Sequence, residues 1–244
     1  MIITNLASGS KGNATLIELD NKNILIDIGL PILNLEKRLG RPFPKIDILI
    51  ITHTHVDHIK GIKSIIRKQN PVIYTIENDL TEKVISNKIN NQTTIDEEDL
   101  HIELFTLSHD VPCAGVYLKY KNKELVYITD TGYIKDKILK KYQNKDVYII
   151  ESNYEEEMLR NGKYPYHLKQ RIRSDRGHIS NEDTCKYLKK LIGDKTKYIL
   201  LAHLSEENNT PETVEKRVEE LLQKLNFKPK KVILNQEKEH KIEV

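Results

Sequence analysis

The sequence predicts an α+β protein in which mixed β-sheets are covered by helices. Three observations carry this. Short apolar runs rich in β-branched residues alternate with amphipathic helical patterns along nearly all of the 244 residues. The early runs are joined by tight polar turns, as in hairpins, and the later ones by helices, as in parallel crossovers. No stretch has the composition of a linker, a repeat or a low-complexity tract, so a single domain over residues 1–244 is expected.

Residues 14–19 and 24–28 are apolar runs separated by Asp20-Asn21-Lys22-Asn23, a turn composition that makes them the arms of a hairpin. Residues 46–51 form a continuous apolar run, the pattern of a strand buried on both faces. A helix is expected over 58–68, with Ile62, Ile65 and Ile66 on one face. Further strands are expected at 72–75, 101–107, 115–120, 125–129, 147–151 and 197–202. The turn Lys121-Asn122-Lys123 pairs the third and fourth of these as a hairpin. Ser180-Asn181-Glu182-Asp183 has the form of a capping box and opens a helix through Leu191. Thr210-Pro211 sets an N-cap before a proline at the first helical position and opens another through Leu225.

Hydrophobic residues make up 38% and charged residues 31%, which suits a soluble globular protein. The N-terminus lacks the charged-then-apolar order of a signal peptide, and no apolar run approaches the roughly 20 residues that span a bilayer. A cytoplasmic protein is therefore expected. The two cysteines, Cys113 and Cys185, lie far apart without a CxxC partner. That argues against a disulfide framework or a thiolate zinc site and leaves both as small buried hydrophobes. A net charge of +3 permits a phosphate-bearing substrate without requiring one.

The decisive stretch is Thr52-His53-Thr54-His55-Val56-Asp57-His58, directly after a buried strand and before a helix. In an extended segment, residues two apart point the same way, so His53 and His55 can reach one ion. The turn into the helix then lets Asp57 and His58 face a second position beside the first. Imidazole nitrogens and carboxylate oxygens suit zinc, and also manganese or iron.

His-x-His-x-Asp-His after an apolar strand resembles the signature of the metallo-β-lactamase superfamily. The resemblance implies an αββα sandwich of two mixed sheets flanked by helices. It also implies further ligands at strand ends, and the sequence offers Asp27, His109, Asp130 and His203 in the implied order. By this resemblance His53, His55 and His109 hold one divalent metal, Asp57, His58 and His203 hold a second, and Asp130 bridges them. Asp27 would hold a histidine through its ring N–H. His101 and His240 lack convergent partners and are expected to be solvated, while His167 sits in a basic helix.

Two ions roughly 3.5–4 Å apart lower the pKa of a shared water towards neutrality and furnish a bridging hydroxide nucleophile. Glu151 ends a strand, and His178 precedes a capped helix, an arrangement that resembles ribonuclease Z and its relatives. There such a pair sits at the scissile phosphate, so Asp57, His178 and Glu151 are the expected catalytic residues. His178 would be the leaving-group acid and Glu151 its orienting partner.

A longer set of residues resembles the WalJ (YycJ, VicX) branch. It comprises the stretch from Leu6 to Asn13, Glu151-Ser152-Asn153, the run from Glu157 to Pro165, Ser174-Asp175-Arg176-Gly177-His178, and His203-Leu204-Ser205 with Asn208-Asn209. That branch implies a 5′→3′ DNA exonuclease. The stretch between Asp130 and His203 is too short for a β-CASP cap domain.

Lys163, Lys169, Arg171, Arg173 and Arg176, interleaved with Tyr164 and Tyr166, form a basic segment suited to phosphates and exposed bases. An ordinary solvated amphipathic helix shows the same pattern. Ser10 and Asn13 lie in a glycine-rich loop whose backbone N–H groups could cradle a phosphate, and Asn208 completes the candidate substrate contacts. Two other functions fit the fold. A small-molecule hydrolase of a thioester, lactone or β-lactam would need an apolar pocket. A catalytically silent regulatory protein would be missing a ligand.

Overall fold

Strands that are apolar on both faces must be covered on both faces, and the chain meets this requirement with four layers. The computed structural model describes residues 1–76, 89–90 and 93–244. Among these residues the element order begins β1 Ile2–Ala7, β2 Ala14–Glu18, β3 Asn23–Ile26, α1 Ile32–Leu39, β4 Ile48–Ile51, α2 Val56–Ile59, α3 Ile62–Lys68, β5 Val72–Thr75 and β6 Ile89–Asn90. It continues β7 Thr94–Glu97, β8 Leu100–Leu107, β9 Cys113–Tyr120, β10 Lys123–Ile128, α4 Asp136–Lys141, β11 Val147–Glu151, α5 Glu156–Asn161 and α6 Tyr166–Arg173. It closes α7 Asn181–Leu191, β12 Tyr198–Ala202, α8 Pro211–Leu225, β13 Lys230–Ile233 and β14 His240–Glu243.

Two seven-stranded sheets result, ordered β14-β1-β2-β3-β4-β5-β6 and β13-β12-β11-β10-β9-β8-β7. Both are mixed. In the first, β14, β1, β2 and β3 run antiparallel and β3 to β6 parallel. In the second, β7 to β10 run antiparallel and β10 to β13 parallel.

Alternation along each strand sorts the side chains into layers. Ile24, Ile26, Ile48 and Ile50 of the first sheet meet Leu125, Tyr127, Val147 and Ile149 of the second in the central core. Leu25, Leu49 and Ile51 point outward, against Ile32 and Leu35 of α1 and Ile62 and Ile65 of α3. Val126, Ile128, Tyr148 and Ile150 point outward from the second sheet, against Leu139 of α4, Leu188 of α7 and Val218 of α8. This is the expected αββα sandwich.

Both predicted caps form. The Ser180 side chain accepts from the Asp183 N–H, and Thr210 accepts from the Thr213 N–H. Two expectations change. The helix expected over 58–68 is two helices, α2 and α3, broken where Gly61 passes so close to Leu30 that a Cβ there would lie 2.1 Å from its carbonyl oxygen. Strands β1, β6, β7, β13 and β14 and helices α1, α4 and α5 had no sequence expectation. His240 is not in a solvated tail: it pairs with Asn5 in the β1–β14 ladder and is half-buried. Among the described residues no helix is long and apolar enough to cross a membrane, and both cysteines are unpaired.

Candidate metal centre

The candidate residues gather at the strand ends along one rim of the sandwich. Asp27 follows β3, His53 to His58 follow β4, His109 follows β8, Asp130 follows β10, Glu151 ends β11 and His203 follows β12. Asp27, Asp130 and His203 have φ of 59°, 57° and 56°. Asp and His are among the few non-glycine residues that tolerate this left-handed region, so these turns and the site are made by the same residues. The turn after β3 and the loop before β2 brace the ligand helix: the Ile28 N–H donates to the His58 carbonyl and the Asn13 N–H to the Asp57 carbonyl, each at 2.8 Å. A Cβ on Gly29 would lie 1.7 Å from that Asp57 oxygen, so only glycine allows the approach.

Two sets of donor atoms converge. In the first, His53 Nε2 and His109 Nε2 lie 3.2 and 3.3 Å from His55 Nδ1. Nitrogens bound to one zinc at 2.0–2.1 Å in a tetrahedron are separated by about 3.3 Å. In the second, His58 Nε2 is 3.5 Å from Asp57 Oδ2 and 3.4 Å from Asp130 Oδ2. His203 Nε2 is 3.4 Å from Asp130 Oδ1 and 3.8 Å from Asp57 Oδ2. Asp130 clusters with His53 as well as with His58, which puts its carboxylate between the two sets. Asp130 Oδ2 and His203 Nε2 are buried without a hydrogen-bond partner among the described residues. Buried polar atoms are rarely left so, and a divalent cation is the partner this mixture of imidazoles and carboxylates fits.

The surroundings fix the rings. His58 Nδ1 donates to Asp27 Oδ2 at 2.7 Å, and Thr52 braces that carboxylate through its N–H at 2.8 Å and its hydroxyl at 2.9 Å. Burial pushes His53 well below the usual imidazole pKa, and the neighbouring histidines add to this, so its lone pair is free to coordinate. Burial opposes charge on His58, but Asp27 and Asp130 outweigh it and bring its pKa up to about 10. Burial likewise favours the neutral form of Asp57, yet His203 and His58 hold it well below the usual carboxylate range. A metal bound here would replace protons shared among these groups.

Beside the second set, His178 Nδ1 donates to Glu151 Oε1 at 2.7 Å, and the same oxygen lies 3.0 Å from His203 Nδ1. Glu151 Oε2 accepts from the Thr131 and Ile179 N–H groups. Burial would neutralise this carboxyl, but His178 and His203 outweigh it and keep it ionised. A cleft of about 180 Å³ opens from His178, His109 and His203, with Ser10, Tyr164, Arg171 and Arg176 in its walls.

Residues 22–203 match the model of the β-lactamase superfamily domain. This chain belongs to that superfamily. Two relatives are similar over most of their length. Exodeoxyribonuclease WalJ of Streptococcus pneumoniae is 39% identical over 222 residues, covering 85% of this chain and 82% of the relative. Exodeoxyribonuclease YycJ of Bacillus anthracis is 36% identical over 235 residues, covering 91% and 89%. Among solved structures, the metallo-β-lactamase fold protein YhfI of Bacillus subtilis superposes with a TM-score of 0.73 at 18% identity, covering 98% and 99% of the two chains.

The candidate substrate contacts scatter within this superfamily fold. Ser10, Arg171 and Arg176 line the cleft, and Lys163 lies outside it. Lys169 donates to the Arg160 carbonyl, and Arg173 pairs with Glu156. The glycine loop is not a phosphate cradle. Its Gly9, Lys11, Gly12 and Asn13 N–H groups donate to Asn13 Oδ1, Gln236 Oε1, the Gly9 carbonyl and the Asp57 carbonyl. Asn13 is itself buried, and its side-chain nitrogen sits 3.2 Å from Asp57 Oδ2 and 3.0 Å from His58 Nε2. Asn208 is buried beneath Gly162, out of reach of a substrate.

Sequence reasoning missed Thr52 and Asp110. Asp110 Oδ1 lies 3.3 Å from His55 Nε2 and 3.2 Å from His109 Nε2, while its other oxygen accepts from Arg171 Nε at 3.1 Å and from Arg171 Nη2. The available signal was its position directly after His109. Cys113 is a buried thiol 3.8 Å from His53 Nδ1, packed behind the centre.

Proposed function

We propose that this chain is a phosphodiesterase that takes two divalent ions, zinc or manganese with iron as a further fit, and removes nucleotides from DNA ends in the 5′→3′ direction. The observation that carries this reading is the Glu151–His178 pair at 2.7 Å, beside converging metal donors and a cleft with two arginines in its walls. The exodeoxyribonuclease names of relatives at 36–39% identity support it. His53, His55 and His109 would hold one ion, Asp57, His58 and His203 the other, and Asp130 would touch both. Such ions would supply Lewis-acid stabilisation and lower the pKa of a bound water.

The chain's own residues do the rest. Glu151 holds His178 Nδ1, which leaves Nε2 to carry the mobile proton to a departing sugar oxygen. Asp27 and Glu151 hold the outer nitrogens of His58 and His203, fixing their Nε2 atoms on the centre. The arginines favour a polyanion over a thioester or lactone, and none of the seven expected ligands is missing, as a silent protein would require. A DNA substrate and two unpaired cysteines support a cytoplasmic location.

His178→Ala tests this reading. The variant should keep its metals and bind DNA, yet turn over about 10²–10⁴-fold more slowly. The defect should shrink on a nitrophenyl phosphodiester, whose leaving group departs without a proton. Equal slowing on both substrates, or loss of metal, would show that His178 is not the acid.

A further inference from the structure

We infer that the cleft beside His178 seats the single terminal nucleotide of a strand and that Arg176 reads the phosphate at its 5′ end. This rests on the phosphodiesterase reading above. Since His178 protonates the leaving oxygen, the departing piece of substrate must lie on the His178 side of the donor centre. On that side the space is a cleft of about 180 Å³ walled by Tyr164, Leu168 and Ile172. It suits a group of sugar-phosphate size, with Tyr164 placed to meet a base, and not a strand running on. The departing piece is therefore the last nucleotide.

The bond change sets which end that is. A water oxygen adds to phosphorus, the P–O3′ bond breaks, and its electron pair stays on the 3′ oxygen, which takes the proton from His178. The spare proton of the water goes to solvent, and His178 is reprotonated from there. The remaining strand keeps a 5′-phosphate. The released nucleotide has a new 3′-hydroxyl, and its other end is the 5′ terminus.

That terminus meets cations of two kinds. Arg171 is committed to Asp110 through both Nε and Nη2. The Arg176 guanidinium has no hydrogen-bond or ion-pair partner among the described residues, and it lies in the cleft wall. The backbone that carries it is pinned to that of the acid two residues on. The Gly177 N–H donates to the Ser174 carbonyl and the His178 N–H to the Ile172 carbonyl, both at 2.9 Å. A Cβ on Gly177 would lie 2.2 Å from the carbonyl oxygens of Arg171 and Ile172. Ser108 Oγ pins the same segment by donating to the Asp175 carbonyl at 2.7 Å. An unpaired, planar guanidinium carried on a backbone pinned beside the acid suits a phosphate monoester at the far end of one nucleotide.

The test compares two short single strands, identical except for a 5′-phosphate or a 5′-hydroxyl and labelled at the 3′ end. Fluorescence anisotropy on metal-stripped protein should show the phosphorylated strand bound about tenfold more tightly. Arg176→Gln should bring the ratio close to one, Arg176→Lys should keep part of it, and Arg173→Gln should leave it intact. In loaded enzyme the same preference should appear in KM more than in kcat. Equal affinity for the two strands in the parent, or a ratio that survives Arg176→Gln, overturns the inference even if DNA is degraded to mononucleotides. Failure to release nucleotides from any DNA end overturns the phosphodiesterase reading instead.

Discussion

Glu151→Gln should lower turnover by about 10³-fold or more and weaken metal binding at the second donor set by about 10–100-fold. The sequence alone assigns Glu151 a lesser part, as the orienter of His178. The structure enlarges it, because one carboxylate oxygen serves both His178 Nδ1 and His203 Nδ1 while the other accepts two backbone N–H groups. All four partners donate. A glutamine has one acceptor oxygen, so in either orientation its amide N–H₂ faces donors in a fully buried place. Paired metal titration and single-turnover kinetics check this. A variant with normal metal affinity and only a mild kinetic defect would detach Glu151 from His203.

Asp130→Ala should reduce the bound metal from about two ions per chain to one or fewer and abolish measurable hydrolysis. Its carboxylate lies 3.4 Å from both His58 Nε2 and His203 Nε2, and it clusters with His53 of the other set. No other described carboxylate reaches both sets. Elemental analysis after manganese or zinc loading measures the stoichiometry directly, and an Asp130→Ala protein that still holds two ions would contradict the assignment.

Much of this architecture was legible because one physical constraint wrote it twice. Strands buried on both faces need unbroken apolar runs, and such runs stand out at β4, β11 and β12. Their ends were legible for the same reason, since a His or Asp directly after an apolar run marks where buried chain becomes site. Asp27, Asp130 and His203 each combine a turn and a place in the site, being at left-handed φ and in the centre at once.

What stayed hidden depends on contacts between distant segments. Strand β1 is buried yet carries Thr4 and Asn5, whose side-chain N–H₂ donates to Thr15 Oγ1 across the ladder, so its polarity masked a strand. The glycine loop resembled a phosphate cradle until Gln236, more than two hundred residues away, was seen to take its Lys11 N–H and donate to the Gly12 carbonyl. The basic segment split for the same reason. Glu156, Asp110 and the Arg160 carbonyl occupy Arg173, Arg171 and Lys169, and no local pattern could assign those partners.

The most direct measurement of the whole account is digestion of end-labelled DNA by protein loaded with manganese or zinc, with products resolved by length and the metal then removed by chelation. The account predicts stepwise release of mononucleotides from the 5′ end, loss of that release on chelation, and its return on adding metal. Intact DNA under metal-loaded conditions, or degradation that persists in chelator, would contradict it.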